Sequence, residues 1–412
     1  MINYYDSYLV LSKVYSEGAF IKQAINDTPL EQLSLSRTVK ICYGVLDNDL
    51  RLDYYIAKLC EKSPKLKIKI ILKIGMYAIE FLGNKPFAVT DALVELTKKL
   101  GKSANAGFVN AFLRRFAEKK VELPENEKDY LSVKYSFPVF AVEELINDYG
   151  DKAESIMAFN EEYTFLRFNN GIDGEKYLSD NGLAYEKTPF YNVFSVPNKK
   201  MDADFDKGIY TFQSVGSAAI CSLVGKGRDL LDACAAPGGK TVFLADKFDK
   251  VTALELHSHR AKLIESYVKR MKKTNVDILL KDAGEYDKSL GKFSAVLCDV
   301  PCSGYGTIKT NPDIKLNRSA NSIAEINKEQ LRILSTCSEY VELGGKLVYS
   351  TCSVFDAEND VIVGKFLENN DDFEVFYETC ELPHLSKKYG LQFLPDISMG
   401  AGFYVSLMRR IK

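Results

Sequence analysis

No CxxC pair occurs in this 412-residue chain, and it carries only three histidines. Structural zinc needs four soft ligands at short, paired spacings, so no metal site is expected. The one close histidine pair, His257 and His259, has no cysteine near it and reads as the start of a helix. No stretch is apolar enough for a bilayer. The longest uncharged one, 208–225, is broken by Thr211, Gln213, Ser214, Ser217 and glycines. The opening MINYYDSYLV lacks the basic-then-apolar order of a secretory signal. Nine cysteines, an odd number, then read as free thiols in a cytoplasmic chain. Internal repeats and low-complexity tracts are absent too. Nor is there a charge excess, since 54 Lys and Arg face 56 Asp and Glu for a net −2. Taken as a total, that argues against a polyanionic partner.

What is present is an ordinary globular composition, 46% hydrophobic, over a length that suits two to three domains. The charge is unevenly placed. Residues 1–120 sum to +7, 121–220 to −9, and 221–412 to zero. The basic excess gathers at Lys62, Lys65, Lys67, Lys69 and Lys73, and at Arg114, Arg115, Lys119 and Lys120. Such a cluster suits phosphate backbones, and equally a solvated helical face.

Hydrophobic spacing divides the chain in three. Residues 1–122 read as all-α: Thr90 is placed to cap a helix closed by Gly101, and Phe108, Val109, Phe112, Leu113 and Phe116 share a face. Lys65, Lys67 and Lys69 alternate with Leu66, Ile68 and Ile70 as in a strand, but the pattern from Ile71 is helical. A polar stretch at 123–130 reads as a linker. Residues 131–225 mix short β-like runs with acidic loops, a small α+β domain. From 226 to 412, apolar runs at 229–234, 251–256, 276–280, 293–298 and 346–350 alternate with helix-length segments. That pattern predicts βα units and a doubly covered, Rossmann-like parallel sheet.

In such a sheet, ligands bind beyond the carboxyl ends of the strands. The first run ends in LLDACAAPGGKT (230–241), a strand, a small-residue turn and a helix start. Gly238 and Gly239 let the backbone approach a ligand, and the helix start offers unpaired N–H groups. A Walker A loop would need glycine at 234, where Cys234 stands, and the G-x-G-x-x-G fingerprint is absent. Glu255 ends the next run, about where a dinucleotide-type site holds ribose hydroxyls. Asp282 and Asp299 follow the third and fourth runs, so three acids line one edge, an arrangement that suits a nucleoside-containing cofactor. Cys302 follows Pro301 at that edge, and Cys352 arrives there from the fifth run. Two thiols at strand ends point to chemistry. Carbon 5 of a pyrimidine is a poor nucleophile until a thiolate adds to carbon 6. An acid near ring nitrogen 3, the place open to Asp299, stabilises the developing charge, and a second thiol can assist release.

DACAAPGGKT, DVPCSGYGTI and LVYSTCS together resemble the S-adenosylmethionine-dependent RNA cytosine-C5 methyltransferases. SFP (136–138), TFQSVGSAAI (211–220) and GFYVSLMRR (402–410) extend the resemblance over roughly 130–412. Residues 1–120 resemble the RNA-binding factor NusB in AVTDALVELTKKLG and GFVNAFLRRF. The combination resembles the Sun/Fmu type of bacterial small-subunit ribosomal RNA methyltransferases. The resemblance implies Cys352 as nucleophile and Cys302 in product release, with Asp299 doubling in catalysis. It implies that Cys234, Ala235, Ala236, Pro237, Gly238, Gly239 and Lys240, with Glu255, Asp282 and Asp299, hold S-adenosylmethionine. It also implies small-subunit ribosomal RNA as partner, with no membrane and no metal, and a monomer is expected. DNA cytosine-C5 methyltransferases attack from a Pro-Cys dipeptide, which would select Cys302, but the Thr-Cys-Ser context favours Cys352. The alternatives are the same chemistry on tRNA or another RNA, and a non-catalytic RNA-binding scaffold. Departures include Glu255 for Asp, Ser214 for Asp after Gln213, and TIKTNPDIK (307–315), which lacks a double-Arg-and-His segment.

Overall fold

The computed structural model describes residues 4–31, 35–160 and 163–412. The first three residues of the N-terminal stretch weighed against a secretory signal therefore lie outside the described residues. The chain divides into two compact units, Met1–Ala158 with Ile308–Ser319, and Phe159–Thr307 with Ala320–Lys412. The first unit thus runs past the expected boundary at 122. Helices Glu127–Tyr135, Val139–Tyr149 and Ala153–Ala158 belong to it, so the stretch 131–225 is shared between units.

The first unit is helical. Its centre is the helix Leu66–Glu80, which buries Ile68, Ile70, Ile71, Leu72, Ile74 and Met76. A helix apolar nearly all round belongs in a core. The 3.6-residue period therefore overrides the Lys/Ile alternation at its start, where Lys65 and Lys67 are exposed. Lys73, buried in this core, pairs with Asp49 and with Asp53 at 2.8 Å. The helix Pro86–Lys99 corrects one expectation: Pro86 opens it and Thr90 is a buried interior position. Gly101, at φ +69°, does follow its end.

The inserted segment Ile308–Ser319 is held by buried polar contacts within this unit. Asp313 accepts from the Ile21 amide (3.2 Å), and Lys315 donates to Asp47 Oδ1 (2.8 Å) and to the Tyr135 carbonyl (3.2 Å). Leu316 packs on the helical core.

The second unit contains two sheets. A small antiparallel one has the order β2-β3-β1-β4, from β1 (Phe165–Phe168), β2 (Glu186–Lys187), β3 (Val193–Ser195) and β4 (Tyr210–Phe212). The large sheet is built from β5 (Gly227–Asp232), β6 (Phe248–Glu255), β7 (Val276–Leu280), β8 (Phe293–Asp299) and β9 (Val341–Thr351), all parallel. Its antiparallel side adds β10 (Phe373–Val375), β11 (Leu385–Ser386), β12 (Leu391–Phe393) and β13 (Phe403–Arg410). The order is β11-β12-β13-β9-β8-β5-β6-β7, with β10 also on β13. Leu230, Leu231, Val296, Leu297, Leu347 and Val348 are fully buried on the central strands. Each such side chain contributes roughly 1.5–3 kcal/mol of burial. From β5 the chain builds outward to β6 and β7, then returns to place β8 on the other flank. The order therefore reverses between β5 and β8, the position at which α/β sheets open a ligand crevice.

Candidate active site

Every chemically distinctive residue of the motifs stands at or just beyond the carboxyl end of a parallel strand. After β5, the Ala233 amide donates to the Leu297 carbonyl and the Ala235 amide to the Leu254 carbonyl (2.9 and 3.0 Å). The turn is thereby fixed between both neighbouring strands. It contains a cis Ala236–Pro237 bond and turns on Gly238 at φ +102°, and the helix Gly239–Leu244 follows. A Cβ at Gly238 would meet Ile264 backbone at 3.3 Å, so only glycine suits this position.

Asp232 is buried, and its Oδ2 accepts from Thr241 Oγ1 (2.7 Å) while Oδ1 has no partner. Burial pushes its carboxyl up to about 7, against the lowering pull of the Thr241 hydrogen bond. Lys240 reaches across to Asp299 at the end of β8, Nζ to Oδ2 2.7 Å, and Ser350 Oγ donates to Asp299 Oδ1 (2.8 Å). Burial alone would lower the Lys240 ammonium, but the Asp299 carboxylate outweighs it and the net shift is upward. Lys240 therefore faces an acid of the reaction edge, a role its place in the glycine turn did not disclose.

Glu255 ends β6 with its side chain buried, Oε1 accepting from the His257 amide (2.9 Å). Arg260 stands 3.7 Å from Oε2 and also donates to the Ala236 carbonyl, linking Glu255 to the β5 turn. Asp282, beyond β7, accepts from the Gly284 amide through Oδ1 (2.8 Å) and from Arg332 Nη2 through both carboxylate oxygens (3.0 Å each). Glu255 and Asp282 thus follow adjacent strands, but neither contacts the thiols. The Cys234 thiol is pushed well up by burial, unlike an exposed reactive thiol.

The two expected thiols meet. Cys302, after β8, and Cys352, after β9, place their Sγ atoms 2.8 Å apart, and the Cys352 amide donates to Cys302 Sγ (3.2 Å). Both are part-exposed and free. The Cys352 thiol in hydrogen-bond reach, and then burial, hold the Cys302 thiol well above the ordinary range. The Gly306 amide closes the first loop onto the Cys352 carbonyl (2.9 Å).

The observations that decide the family are the matches along this frame. The 16S rRNA methyltransferase RsmB/F family matches residues 223–409, the sheet and its thiol loops, and the NusB family matches residues 8–118. A Bacillus subtilis protein named "Probable ribosomal RNA small subunit methyltransferase B" is 30% identical, over 97% of this chain and 95% of its own. This chain belongs to the RsmB/F family. A Pasteurella multocida ribosomal RNA small subunit methyltransferase B is 29% identical over 98% of this chain and 94% of its own. In fold, the RsmB/F chain is similar to the crystal structure of PH0851, at TM-score 0.83 and 22% identity over 98% of this chain and 97% of that one. It is also similar to NSun6 from Pyrococcus horikoshii with SFG, at TM-score 0.60 and 18% identity over 67% and 99%. The motif resemblance and the expected fold class, a Rossmann-like methyltransferase sheet in a chain that also has a NusB-like helical region, are therefore borne out.

The departures from the usual RsmB/F pattern acquire physical roles. Ser214 caps the helix Val215–Val224, accepting from the Ser217 amide (3.2 Å). Gln213 beside it accepts from Arg167 Nε (2.6 Å) and donates to the Gly239 carbonyl (3.2 Å), supporting the cofactor-type turn from the small sheet. Asp313 and Lys315 of TIKTNPDIK spend their polar groups inside the helical unit. Sequence reasoning missed Arg167, and also Glu358, whose signal was a Glu-Asn pair six residues beyond Cys352.

Proposed function

We propose that this chain transfers a methyl group from S-adenosylmethionine to carbon 5 of one cytosine in small-subunit ribosomal RNA, through a covalent adduct of Cys352 with carbon 6. The observation that carries the reading is the pair of thiols 2.8 Å apart beside an Asp299–Lys240 pair, all at the switch-point edge of the sheet. The residues suit the cofactor. The orphaned, buried Asp232 Oδ1 and the Gly238 cradle that a Cβ would fill both stand at the β5 turn. The backbone of the turn 234–240 would hold the methionine part, and Glu255 and Asp282 the nucleoside. When bound, S-adenosylmethionine supplies an electrophilic methyl group.

Cys352 adds to carbon 6 as a thiolate and makes carbon 5 enamine-like. Charge develops at ring nitrogen 3, and the proton shared by Lys240 and Asp299 is the group offered there. After transfer a base, water at this part-exposed edge, takes the proton of carbon 5, the electron pair restores the carbon 5–carbon 6 double bond, and Cys352 leaves as a thiolate. Cys302, its sulfur 2.8 Å from that of Cys352, assists that release. The target base is flipped or unpaired, since a thiol must reach its face. The exposed Arg114, Lys119 and Lys120 of the helical unit supply phosphate contacts.

The test is bisulfite sequencing of small-subunit ribosomal RNA from cells with the wild-type gene, without it, and with each cysteine variant. Cys352→Ser should abolish the mark, and Cys302→Ser should trap a protein–RNA adduct in denaturing gels. If Cys302→Ser blocks the adduct and Cys352→Ser accumulates it, the roles are reversed. A mark confined to tRNA would overturn the substrate.

A further inference from the structure

The two thiol loops are separated by 50 residues in sequence, and one buried carboxylate joins them. Glu358, fully buried in the turn Asp356–Glu358, accepts four hydrogen bonds. Its Oε2 takes the Ser303 amide (2.7 Å) and Gln330 Nε2 (3.1 Å). Its Oε1 takes the Ser303 hydroxyl (2.5 Å) and the Ser353 hydroxyl (2.6 Å). Ser303 is the residue after Cys302, and Ser353 the residue after Cys352. The two hydroxyls lie 3.3 Å apart. Gln330, from the helix Ala320–Ser338, also donates to the carbonyl of Pro301, the residue before Cys302.

The next residue extends the brace. Asn359 accepts from Thr351 Oγ1 (2.6 Å) and donates to the Ser353 carbonyl (3.1 Å), so both residues flanking Cys352 are tied. Gln392 of β12 adds a second donor to the Ser353 carbonyl (3.2 Å). All four donors to Glu358 are neutral, so its charge is satisfied by hydrogen bonds alone. A buried carboxylate without a countercharge is a costly way to stabilise a fold, and apolar residues would do that better. What it does supply is fixed spacing. A carboxylate accepts along several directions at once, and these four lines converge on the two loops that carry the thiols.

We propose that Glu358 is a positioning residue, setting the distance and orientation of Cys352 and Cys302 through Ser353 and Ser303. The inference rests on the covalent mechanism above. It divides labour between the two thiols: the Ser353 arm aims the attacking sulfur, and the Ser303 arm aims the releasing one. Behind the neighbouring thiol and burial, the Glu358 charge also raises the Cys302 thiol. Misplacement of a reacting atom by about 1 Å can cost on the order of 100-fold in rate.

The experiment compares full-length wild type, Glu358→Gln, Ser353→Ala, Ser303→Ala and Cys352→Ser on a small-subunit ribosomal RNA transcript, with tritiated S-adenosylmethionine. Adduct formation is followed on the same transcript carrying 5-fluorocytosine. Glu358→Gln keeps the volume but turns one acceptor into a donor toward Ser303 or Ser353. Its kcat should fall by about 30- to 100-fold, with the KM for S-adenosylmethionine within about threefold. Ser353→Ala should slow adduct formation, and Ser303→Ala should let the adduct accumulate on the unmodified transcript. The proposal is overturned if Glu358→Gln keeps kcat within threefold, or if kcat and cofactor KM worsen in parallel, as a role in fold support alone would give. If Glu358→Gln does not fold, the serine variants decide: equal effects on both steps, or none, overturn it. Methylation surviving in Cys352→Ser would overturn the covalent reading itself, whereas loss there with an active Glu358→Gln overturns only the brace.

Discussion

Replacing Lys240 by Met removes an ammonium and little else, because the side chains match in length and Lys240 is only 13% exposed. In the wild type its Nζ lies 2.7 Å from Asp299 Oδ2, itself a quarter exposed. A hydrogen bond between charged groups at this depth contributes roughly 1.5–3 kcal/mol. If the shared proton is presented to the base only as the adduct forms, that whole amount is lost from the transition state. At about 1.4 kcal/mol per tenfold, the rate falls by about 10- to 150-fold. Asp299 keeps its Ser350 hydrogen bond, so the edge of the sheet should hold its shape. Cofactor affinity, measured by calorimetry, should then move by less than about threefold, since the loss lies in the transition state. The rate is read as single-turnover methyl transfer to a ribosomal RNA transcript. A rate within threefold of wild type would refute the proton-sharing role. So would a loss matched by weaker cofactor binding, which would make Lys240 a cofactor ligand alone.

Asp232, with its carboxyl raised to about 7 by burial, makes the ligand-free protein bind a proton more tightly folded than unfolded. The folded-state pKa lies above the unfolded one, so this contribution is present at low pH and is lost as pH rises from about 4 to 7. The shift corresponds to about 4 kcal/mol at most, and Asp232→Asn should abolish this share of the pH dependence in thermal melts; parallel melting curves for both proteins would contradict it. Gly238→Ala puts a Cβ 3.3 Å from Ile264 at φ +102°, so calorimetry should show cofactor affinity falling by at least tenfold; unchanged affinity would remove the turn from the cofactor site. Replacing the exposed Arg114, Lys119 and Lys120 together by Ala should lower the slope of log affinity against log salt by up to about 2 for a single-stranded target, in filter binding; an unchanged slope would remove this helix end from the RNA contacts. Phe393→Ala, at a fully buried position of β12, should cost about 3–5 kcal/mol in denaturant unfolding; a loss under 1 kcal/mol would contradict the packing.

The edge of the sheet was readable from sequence because each strand is a short apolar run and its chemistry starts where the run stops. Asp232, Glu255 and Asp299 are the last residues of β5, β6 and β8. Cys302 and Cys352 lie a few residues past theirs. Local pattern settles such positions. Helix starts were read less well: Thr90 is a good capping residue, yet Pro86 four residues earlier preorganises the first turn, and Thr90 is left inside a buried face. The Lys/Ile alternation at 65–70 is resolved only by the helix it enters.

Unit membership was beyond local pattern altogether. Residues 308–319 follow the Cys302 loop in sequence, and their first part belongs to TIKTNPDIK, which lacks the double-Arg-and-His segment of the pattern it resembles. Their placement is decided by contacts 268 and 292 residues distant in the chain, Lys315 to Asp47 and Asp313 to the Ile21 amide. Both side chains are buried. A buried lysine and a buried aspartate whose partners come from the helical unit are an anchoring device, and no periodicity announces one. The net charge has the same lesson in another form. A total of −2 argues against a polyanionic partner, but the basic excess belongs to the NusB-like residues, where Arg114, Lys119 and Lys120 stand exposed at one helix end. Lys73 and Lys315, equally positive in the count, are buried against carboxylates and cannot serve an RNA. Which charges face a partner is a property of the fold, so the charge that matters for RNA is the exposed residue of the sum, not the sum.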